Sequence, residues 1–303
     1  MADLSVRIAG ITLKNPVIPA SGVFGYGQEY SQLFPLSQLG GIATKGTTAT
    51  PRPGNSSPRV TEISSGMLNA VGLQNPGVDD FIEHELPFLL DQDTVILANI
   101  AGSTLEEYIT VAEKLEATPV HMIELNISCP NVKQGGATFG VDCSSAAAVT
   151  TAVRQVTKKP LIVKLSPNVT NIAEIAIAVE QAGADGISLI NTLTGMRIDI
   201  ETRRPILHNN TGGMSGSCIF PLAVRMVWQV RQAVSIPIIG MGGISSGKDA
   251  IEMMMAGADA IQVGAAIFTD PYAPIHILEE MQTWLDEHHI ASVREIVNTV
   301  RPW

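Results

Sequence analysis

The sequence predicts an α/β protein in which eight parallel strands close into a barrel surrounded by helices, a (β/α)8 barrel. Eight short apolar runs recur along the chain, and segments with apolar residues at three- and four-residue spacing separate them. Eight strands are the number that closes such a barrel, and this fold commonly forms one domain from a chain of about this length. We therefore expect residues 1–303 to form a single barrel domain.

The predicted strands are runs of five to eight residues, many of them rich in Val and Ile. Runs that are apolar throughout are typical of parallel strands, which are buried on both faces. They begin, in chain order, at Asn15 (NPVIPA), Gly41 (GIATK), Thr94 (TVILAN), His121 (HMIELNIS), Leu161 (LIVKLS), Gly186 (GISLIN), Pro237 (PIIGMGG) and Ala260 (AIQVGAA).

Amphipathic segments between these runs predict the outer helices. Residues 105–116, 172–182 and 249–256 carry apolar side chains at helical spacing, with Ser, Thr, Asn or Asp near the start. The tail, residues 272–303, predicts a last helix followed by a short one near residues 292–299.

Three connections are too long to be simple turns: residues 46–75, 129–142 and 192–217. Long connections in compact domains are usually functional or disordered. Each follows the carboxyl end of a predicted strand, and that is the face on which barrel enzymes carry their active sites. We expect these connections to contribute to the active site.

The charge balance excludes some partners. The chain has 19 Lys plus Arg against 29 Asp plus Glu, a formal net charge of −10, and it lacks the basic clusters that grip nucleic acid. It has no uninterrupted apolar stretch of about 18 residues and no basic start followed by an apolar segment. We expect a cytoplasmic protein that binds neither nucleic acid nor a membrane.

The cysteines also limit the chemistry of this chain. Cys129, Cys143 and Cys218 are too few for a disulfide framework or for the four thiolates of an iron–sulfur cluster, and they lack metal-ligand spacing. No G-x-G-x-x-G motif follows a strand, so a nicotinamide site on this chain is unsupported. We expect no metal site here.

Polar side chains stand at or near the carboxyl ends of five predicted strands: Lys45, Asn99, Asn126, Lys164 and Asn191. A lysine within an apolar strand is costly to bury without an anionic partner. For one lysine, an ion pair with a neighbouring carboxylate is an alternative. Two lysines and three asparagines at one rim favour a binding site.

Glycines end the seventh and eighth strands, as Gly240-Met241-Gly242-Gly243 and Gly264-Ala265. Loops after these two strands are the recurrent phosphate site of the fold, because small residues let backbone N–H groups approach the phosphate. Tight turns alone are the alternative explanation. A phosphate here and a ring at the barrel mouth indicate FMN.

A candidate base follows the fourth strand. Cys129 stands in a loop with Gly135 and Gly136, and a thiol can act as a general base when its pKa lies within reach of neutral pH. A single cysteine is otherwise more often a small buried hydrophobe. Cys143 and Cys218 lack such neighbours.

Carboxamides converge from four segments, and they offer both donors and acceptors to a ring that alternates N–H and C=O groups. Asn and Gly in a loop are otherwise turn formers. The pattern favours a planar, imide-like substrate. The four are Asn69, Asn126, Asn131 and Asn191.

Over nearly its whole length the chain resembles the class 1 dihydroorotate dehydrogenases, particularly the class 1B catalytic subunits. Several contiguous motifs in the family's order are far more specific than one glycine loop. They are NPVIPASGVFGYG from Asn15, ATKGTT from Ala43, PRPGN from Pro51, NAVGLQNPG from Asn69, ELNISCPNVKQGG from Glu124, VKLSPNV from Val163, INTLTGM from Ile190, GGMSG from Gly212 and IPIIGMGGI from Ile236.

The resemblance implies oxidation of (S)-dihydroorotate to orotate, in pyrimidine (UMP) synthesis, on one bound FMN. Cys129 matches the family's catalytic base, which removes the C5 proton while hydride passes from C6 to the flavin. The matching FMN positions are Ser21, Lys45, Gly46, Asn99, Asn126, Lys164, Ile190, Gly216, Gly242, Gly243, Gly264 and Ala265. The matching substrate positions are Lys45, Asn69, Ala70, Val71, Gly72, Leu73, Asn126, Asn191 and Thr192.

The subclass decides the oxidant. Class 1B subunits form a homodimer core and pair with an electron-transfer subunit, with two chains of each in the assembly. The electron-transfer subunit carries FAD and a [2Fe–2S] cluster and reduces NAD⁺. Class 1A enzymes are homodimers that reduce fumarate. NAVGLQNPG and CPNVKQGG resemble class 1B. A class 1A enzyme and a related pyrimidine reductase are alternatives within flavin chemistry. The residues alone also leave open a phosphate-binding aldolase or isomerase with Schiff-base chemistry at Lys164, and a non-enzymatic binding barrel.

Overall fold

The computed structural model describes residues 1–128 and 139–303. In this part of the chain the strands are β1 (Val6–Ile8), β2 (Ile11–Leu13), β3 (Val17–Pro19), β4 (Gly41–Ala43), β5 (Val60–Ile63), β6 (Gly66–Asn69), β7 (Val95–Ile100), β8 (Met122–Asn126), β9 (Leu161–Lys164), β10 (Gly186–Leu189), β11 (Leu193–Gly195), β12 (Ile198–Asp199), β13 (Arg204–Pro205), β14 (Gly212–Ser215), β15 (Ile238–Met241) and β16 (Ala260–Val263).

The α-helices of the same ranges are α1 (Val78–Asp80), α2 (Leu86–Leu90), α3 (Leu105–Glu116), α4 (Cys143–Val156), α5 (Ile172–Gln181), α6 (Phe220–Arg231), α7 (Gly247–Met255), α8 (Ala266–Thr269) and α9 (Ala273–Glu287). A π-helical turn, Phe81–Glu85, joins α1 to α2. Short 3-10 turns are Tyr30–Gln32, Leu36–Gln38, Ser217–Ile219 and Val293–Ile296. No helix of the described ranges is both long and apolar enough to cross a membrane.

Eight strands form one parallel sheet in the order β3-β16-β15-β10-β9-β8-β7-β4. The backbone N–H of Gly40 donates to the carbonyl of Val17 at 3.0 Å and so links the two outer strands. Seven of these strands lie within an apolar run, and β7 extends one residue beyond its run, to Ile100. The predicted (β/α)8 barrel is therefore confirmed.

Four of the outer helices in the described ranges, α3, α4, α5 and α7, begin at capping side chains. The hydroxyl of Thr104 accepts from the N–H of Glu107, and α3 spans the predicted residues 105–116. α5 ends one residue earlier than predicted, and α7 begins two residues earlier because Ser246 caps it. The first barrel strand is followed by 3-10 turns, and the short helix of the tail is a single 3-10 turn, Val293–Ile296.

Two of the long connections hold a sheet rather than only loops. β5 and β6 from the first, and β11 and β14 from the third, form an antiparallel sheet in the order β11-β14-β6-β5. In it Asn69 lies opposite Gly213. We call these four strands the cap sheet. Of the second connection, the structure describes residues 139–142.

Candidate active site

A cavity lies at the carboxyl ends of the barrel strands and extends to the cap sheet, with about 1210 Å³ of space, part of it open to solvent. All twelve predicted cofactor residues line it, and so do eight of the nine predicted substrate residues. Residues far apart in the chain, such as Ser21 and Ala265, thus meet around one space. The predicted site is one site in three dimensions.

Ala70 is the predicted residue that does not line the cavity. Its side chain is fully buried with Leu68 and Leu207 under the cap sheet. Its carbonyl accepts a hydrogen bond from Asn55 Nδ2 at 2.9 Å. In this structure Ala70 supports the loop that carries Val71 and Gly72.

Lys164 projects into the base of the cavity, with its side chain 5% exposed. Its Nζ lies 3.2 Å from Ser21 Oγ and 3.9 Å from Glu124 Oε2. The apolar stem is enclosed by the barrel while the ammonium lines the cavity. A buried cation at this position favours an anionic or electron-rich ligand.

Asn99 carries a buried oxygen that lacks a hydrogen-bond partner among the described residues, Oδ1. Its Nδ2 donates to Glu124 at 2.5 Å. A Cβ added to Gly46 would lie 2.9 Å from that oxygen, so glycine keeps the space beside it open. A buried acceptor without a partner is costly, and a ligand N–H or O–H would satisfy it.

Three polar side chains, from β8, from the residues that follow it and from the connection after β10, form a hydrogen-bonded group. Asn126 Oδ1 accepts from Ser128 Oγ at 3.0 Å and from Asn191 Nδ2 at 3.3 Å, and Asn191 Nδ2 also donates to Ser128 Oγ at 2.6 Å. Tyr108 Oη holds the carbonyl of Asn126 at 2.8 Å. The amide planes are therefore held in place before a ligand binds.

Glycines of the loops after the seventh and eighth barrel strands meet Gly216, from the third long connection, at one corner of the cavity. Gly216, Gly242 and Gly243 have φ values of +110°, +123° and +78°, which favour glycine. A Cβ on Gly243 would lie 2.8 Å from the carbonyl oxygen of Gly216, whereas one on Gly264 would meet only Ala20 Cβ, at 3.8 Å. This corner has the small-residue character expected of a phosphate site.

Asn75 organises the loop between the cap sheet and the cavity. Its Oδ1 accepts from the N–H of Gly77 at 2.9 Å, and its Nδ2 donates to the carbonyl of Leu73 at 2.7 Å and to Thr48 Oγ1 at 2.8 Å. Asn75 does not line the cavity itself. Its hydrogen bonds hold the loop in which Leu73 and Gly72 line the cavity.

A second groove shares Lys45 and Val71 with the cavity and is also lined by Tyr26, Arg52 and Glu85. Burial raises the pKa of Tyr26 to about 12, so its hydroxyl keeps its proton at neutral pH. Burial, with help from a neighbouring aspartate, raises the pKa of Glu85. Lys45 therefore lines both the cavity and this groove.

Cys129 and Asn131 lie outside the described residues, so their predicted roles stay predictions. Cys143, at the start of α4, is half-buried, and Cys218 is exposed. Neither lines the cavity. Within residues 1–128 and 139–303, no group of three or more His, Cys, Asp or Glu side chains is placed to hold a metal ion.

The sequence reasoning missed three polar residues beneath the cavity: Glu124, Ser188 and Gln262, all fully buried. The signal was present, since Glu124 and Asn126 alternate along β8 and therefore share the face that looks into the barrel. Reading that run as uniformly apolar concealed its alternation.

The chain is similar to a known family along most of its length. The family described as "Dihydroorotate dehydrogenase" matches residues 3–285. The chain belongs to the dihydroorotate dehydrogenase family. Within it, this chain is 56% identical over 299 residues to the "Dihydroorotate dehydrogenase B (NAD(+)), catalytic subunit" of Geotalea uraniireducens, covering 98% of each chain. The proteins of the same name from Geobacillus sp. strain WCH70 (54% identity, 100% of this chain and 96% of the relative) and Geobacter sulfurreducens (55%, 98% of each) are similar to it to nearly the same extent.

Proposed function

We propose that this chain is the catalytic subunit of an NAD⁺-linked dihydroorotate dehydrogenase, which oxidises (S)-dihydroorotate to orotate in pyrimidine synthesis. The observation that carries the proposal is the single cavity in which two lysines, a group of carboxamides and a glycine corner meet, in a chain of this family. A planar anionic substrate fits such a set of donors and acceptors.

FMN fits the described residues. The unpartnered Oδ1 of Asn99 would accept from the ring system, and Lys164 would place positive charge beside it. Backbone N–H groups around Gly242, Gly243, Gly264 and Ala265 would hold the phosphate. When bound, FMN supplies the acceptor for the two electrons that leave the substrate.

On the substrate side, Asn69, Asn126 and Asn191 would bind the ring, with Thr192 and Lys45 beside them. The bonds within the Asn126–Ser128–Asn191 group orient the amides in advance, and such preorganisation lowers the cost of binding. Cys129, by its place in the sequence motif, would remove the C5 proton. The cap sheet would limit the access of water.

The relatives' names include "catalytic subunit" and "NAD(+)", and this supports a partner. We propose that residues 1–303 act as one domain, form a homodimer core and pair with an electron-transfer subunit carrying FAD and a [2Fe–2S] cluster, two chains of each. The thiolates for that cluster are too few on this chain, which has three cysteines. We place this assembly in the cytoplasm.

The direct test adds dihydroorotate anaerobically to the purified, FMN-loaded chain. We expect prompt bleaching of the yellow flavin absorption and one orotate per flavin, because the reductive half-reaction needs only this chain. Turnover assays with NAD⁺ or fumarate, with and without the partner subunit, then identify the oxidant. A yellow protein that does not bleach would contradict the assignment of dihydroorotate as the substrate. A chain that takes up no FMN would favour a phosphate-binding aldolase or isomerase instead.

The glycine corner gives a second test. Gly243→Ala would place a Cβ 2.8 Å from Gly216 O and from Phe220 Cβ in a backbone conformation with φ +78°. We expect FMN affinity to fall about tenfold or more, with a loss of about 1–3 kcal/mol of stability. Fluorescence titration with FMN and thermal unfolding measure the two effects.

Gly10→Ala is the matched control for Gly243→Ala. Gly10 has φ +87°, but a Cβ there would meet nothing within 4 Å. Because Gly10 lies in the turn between β1 and β2, this variant carries the backbone strain without touching the cavity. Equal FMN affinity in the two variants would disprove a role for the corner in binding.

A further inference from the structure

Glu124 is a buried carboxylate that faces the interior of the barrel just below the cavity. Its side chain is 0% exposed, and it does not line the cavity. Three hydrogen bonds converge on it, from Asn99 Nδ2 at 2.5 Å, Ser188 Oγ at 2.8 Å and Gln262 Nε2 at 2.8 Å. These partners come from three different strands.

Lys164 adds an ion-pair contact, because its Nζ lies 3.9 Å from Glu124 Oε2. Every polar contact the structure gives to this carboxylate is thus with a hydrogen-bond donor or with the Lys164 ammonium, a set of partners that suits a carboxylate. We call Glu124, Asn99, Lys164, Ser188 and Gln262 the polar floor. It places one negative charge in a dry interior, directly behind a cation of the cavity lining.

The polar floor determines which atom of the Asn99 side-chain amide faces the cavity. Asn99 gives its NH₂ group to Glu124, and its unpartnered Oδ1 therefore lies on the side of Gly46, which lines the cavity. Without the carboxylate, nothing among the described contacts would prevent the amide from turning its NH₂ toward the ligand. Glu124 also offsets part of the field of Lys164, since opposite charges this close in a low-dielectric interior interact strongly.

We propose that Glu124 is a positioning residue that orients the Asn99 amide and moderates the Lys164 charge, and thereby holds the reduction potential of the bound flavin below the value that Lys164 alone would give. This inference rests on the proposed FMN function. It adds to that function a residue that touches neither cofactor nor substrate.

The test compares flavin potentials by equilibration with a reference dye in the FMN-loaded chain. Glu124→Gln keeps the shape of the side chain and removes its charge. The Ser188 hydroxyl can rotate and the Gln262 amide can turn, so both can then accept from the new amide. We expect the ratio of reduced to oxidised flavin at a fixed dye ratio to rise about tenfold, which for a two-electron couple corresponds to about 30 mV.

Two further variants test whether the change in flavin potential comes from the charge of Glu124, from the shape of its side chain, or from the loss of any carboxylate. Glu124→Asp keeps the charge, and we expect its dye equilibrium to stay within about threefold of wild type. Glu116→Gln removes a carboxylate that accepts hydrogen bonds from Thr157 and Lys158 at the other end of the barrel, and its flavin should match wild type. A folded, FMN-replete Glu124→Gln variant with the wild-type potential would overturn the inference.

If Glu124→Gln does not fold, Ser188→Ala decides the question. It removes one donor to Glu124 and no residue of the cavity lining. The less compensated carboxylate should then shift the equilibrium several-fold toward oxidised flavin, and an unchanged equilibrium would overturn the inference. A wild-type chain that binds no FMN would contradict the proposed function instead, so the two failures are distinguishable.

Discussion

Replacement of Cys129 by alanine is expected to abolish most of the turnover with dihydroorotate while leaving FMN and orotate binding intact. A positioned general base contributes about 10²–10⁴-fold to the rate of proton abstraction, so kcat should fall by about that factor. Stopped-flow measurement of anaerobic flavin bleaching reports this step directly. Cys129→Ser should retain some activity only at higher pH, because a hydroxyl is a poorer base than a thiol.

Cys143→Ala is the matched control for Cys129→Ala, since Cys143 is a half-buried thiol that does not line the cavity. It should bleach at the wild-type rate. Wild-type turnover in Cys129→Ala, or an equal loss in both variants, would refute the assignment of Cys129 as the base.

Replacement of Lys164 by methionine is expected to have the second largest effect. The change removes the cation from the cavity lining, so FMN affinity should fall about tenfold or more and the flavin potential should drop. It also leaves Glu124 buried without its cation, and breaking a buried pair costs about 3 kcal/mol of unfolding free energy. FMN titration, dye equilibration and chemical denaturation measure the three effects.

The double variant Lys164→Met with Glu124→Gln separates these effects. Removing both charges should restore most of the lost stability but not the FMN affinity. Lys159→Met is the control, because Lys159 precedes the strand that holds Lys164 and lies at its amino end. There Lys159 Nζ donates to the carbonyls of Thr118 and Val120. A Lys164→Met protein that keeps full FMN occupancy and an unchanged potential would count against the proposed role.

The barrel could be predicted closely because its strands are short runs buried on both faces. Each of the eight runs overlaps a barrel strand, and the capping side chain of Thr104 marks the start of α3 where the sequence places it. The cavity lining could be predicted because the carboxyl ends of parallel strands face one side. The apolar runs and the capping residue are local in sequence, and tertiary packing does not change the structures they predict.

The cap sheet could not be predicted, because its pairing joins segments far apart in the chain. Asn69 and Gly213 are 144 residues apart, and strands as short as β5, β6, β11 and β14 carry little pattern of their own. Burial in the tertiary structure, rather than local propensity, decides such pairings. The role of Ala70 as a support rather than a lining residue follows from this sheet.

The polar floor also bears on how the barrel strands align. A strand that is apolar on both faces gains nearly the same burial in several registers, so its apolar residues specify the alignment only weakly. Sliding β7, β10 or β16 by one residue would turn Asn99, Ser188 or Gln262 outward to the helices and leave Glu124 buried with fewer donors. A misaligned barrel would thus hold a less compensated charge at its centre, and the observed register of these strands avoids that penalty.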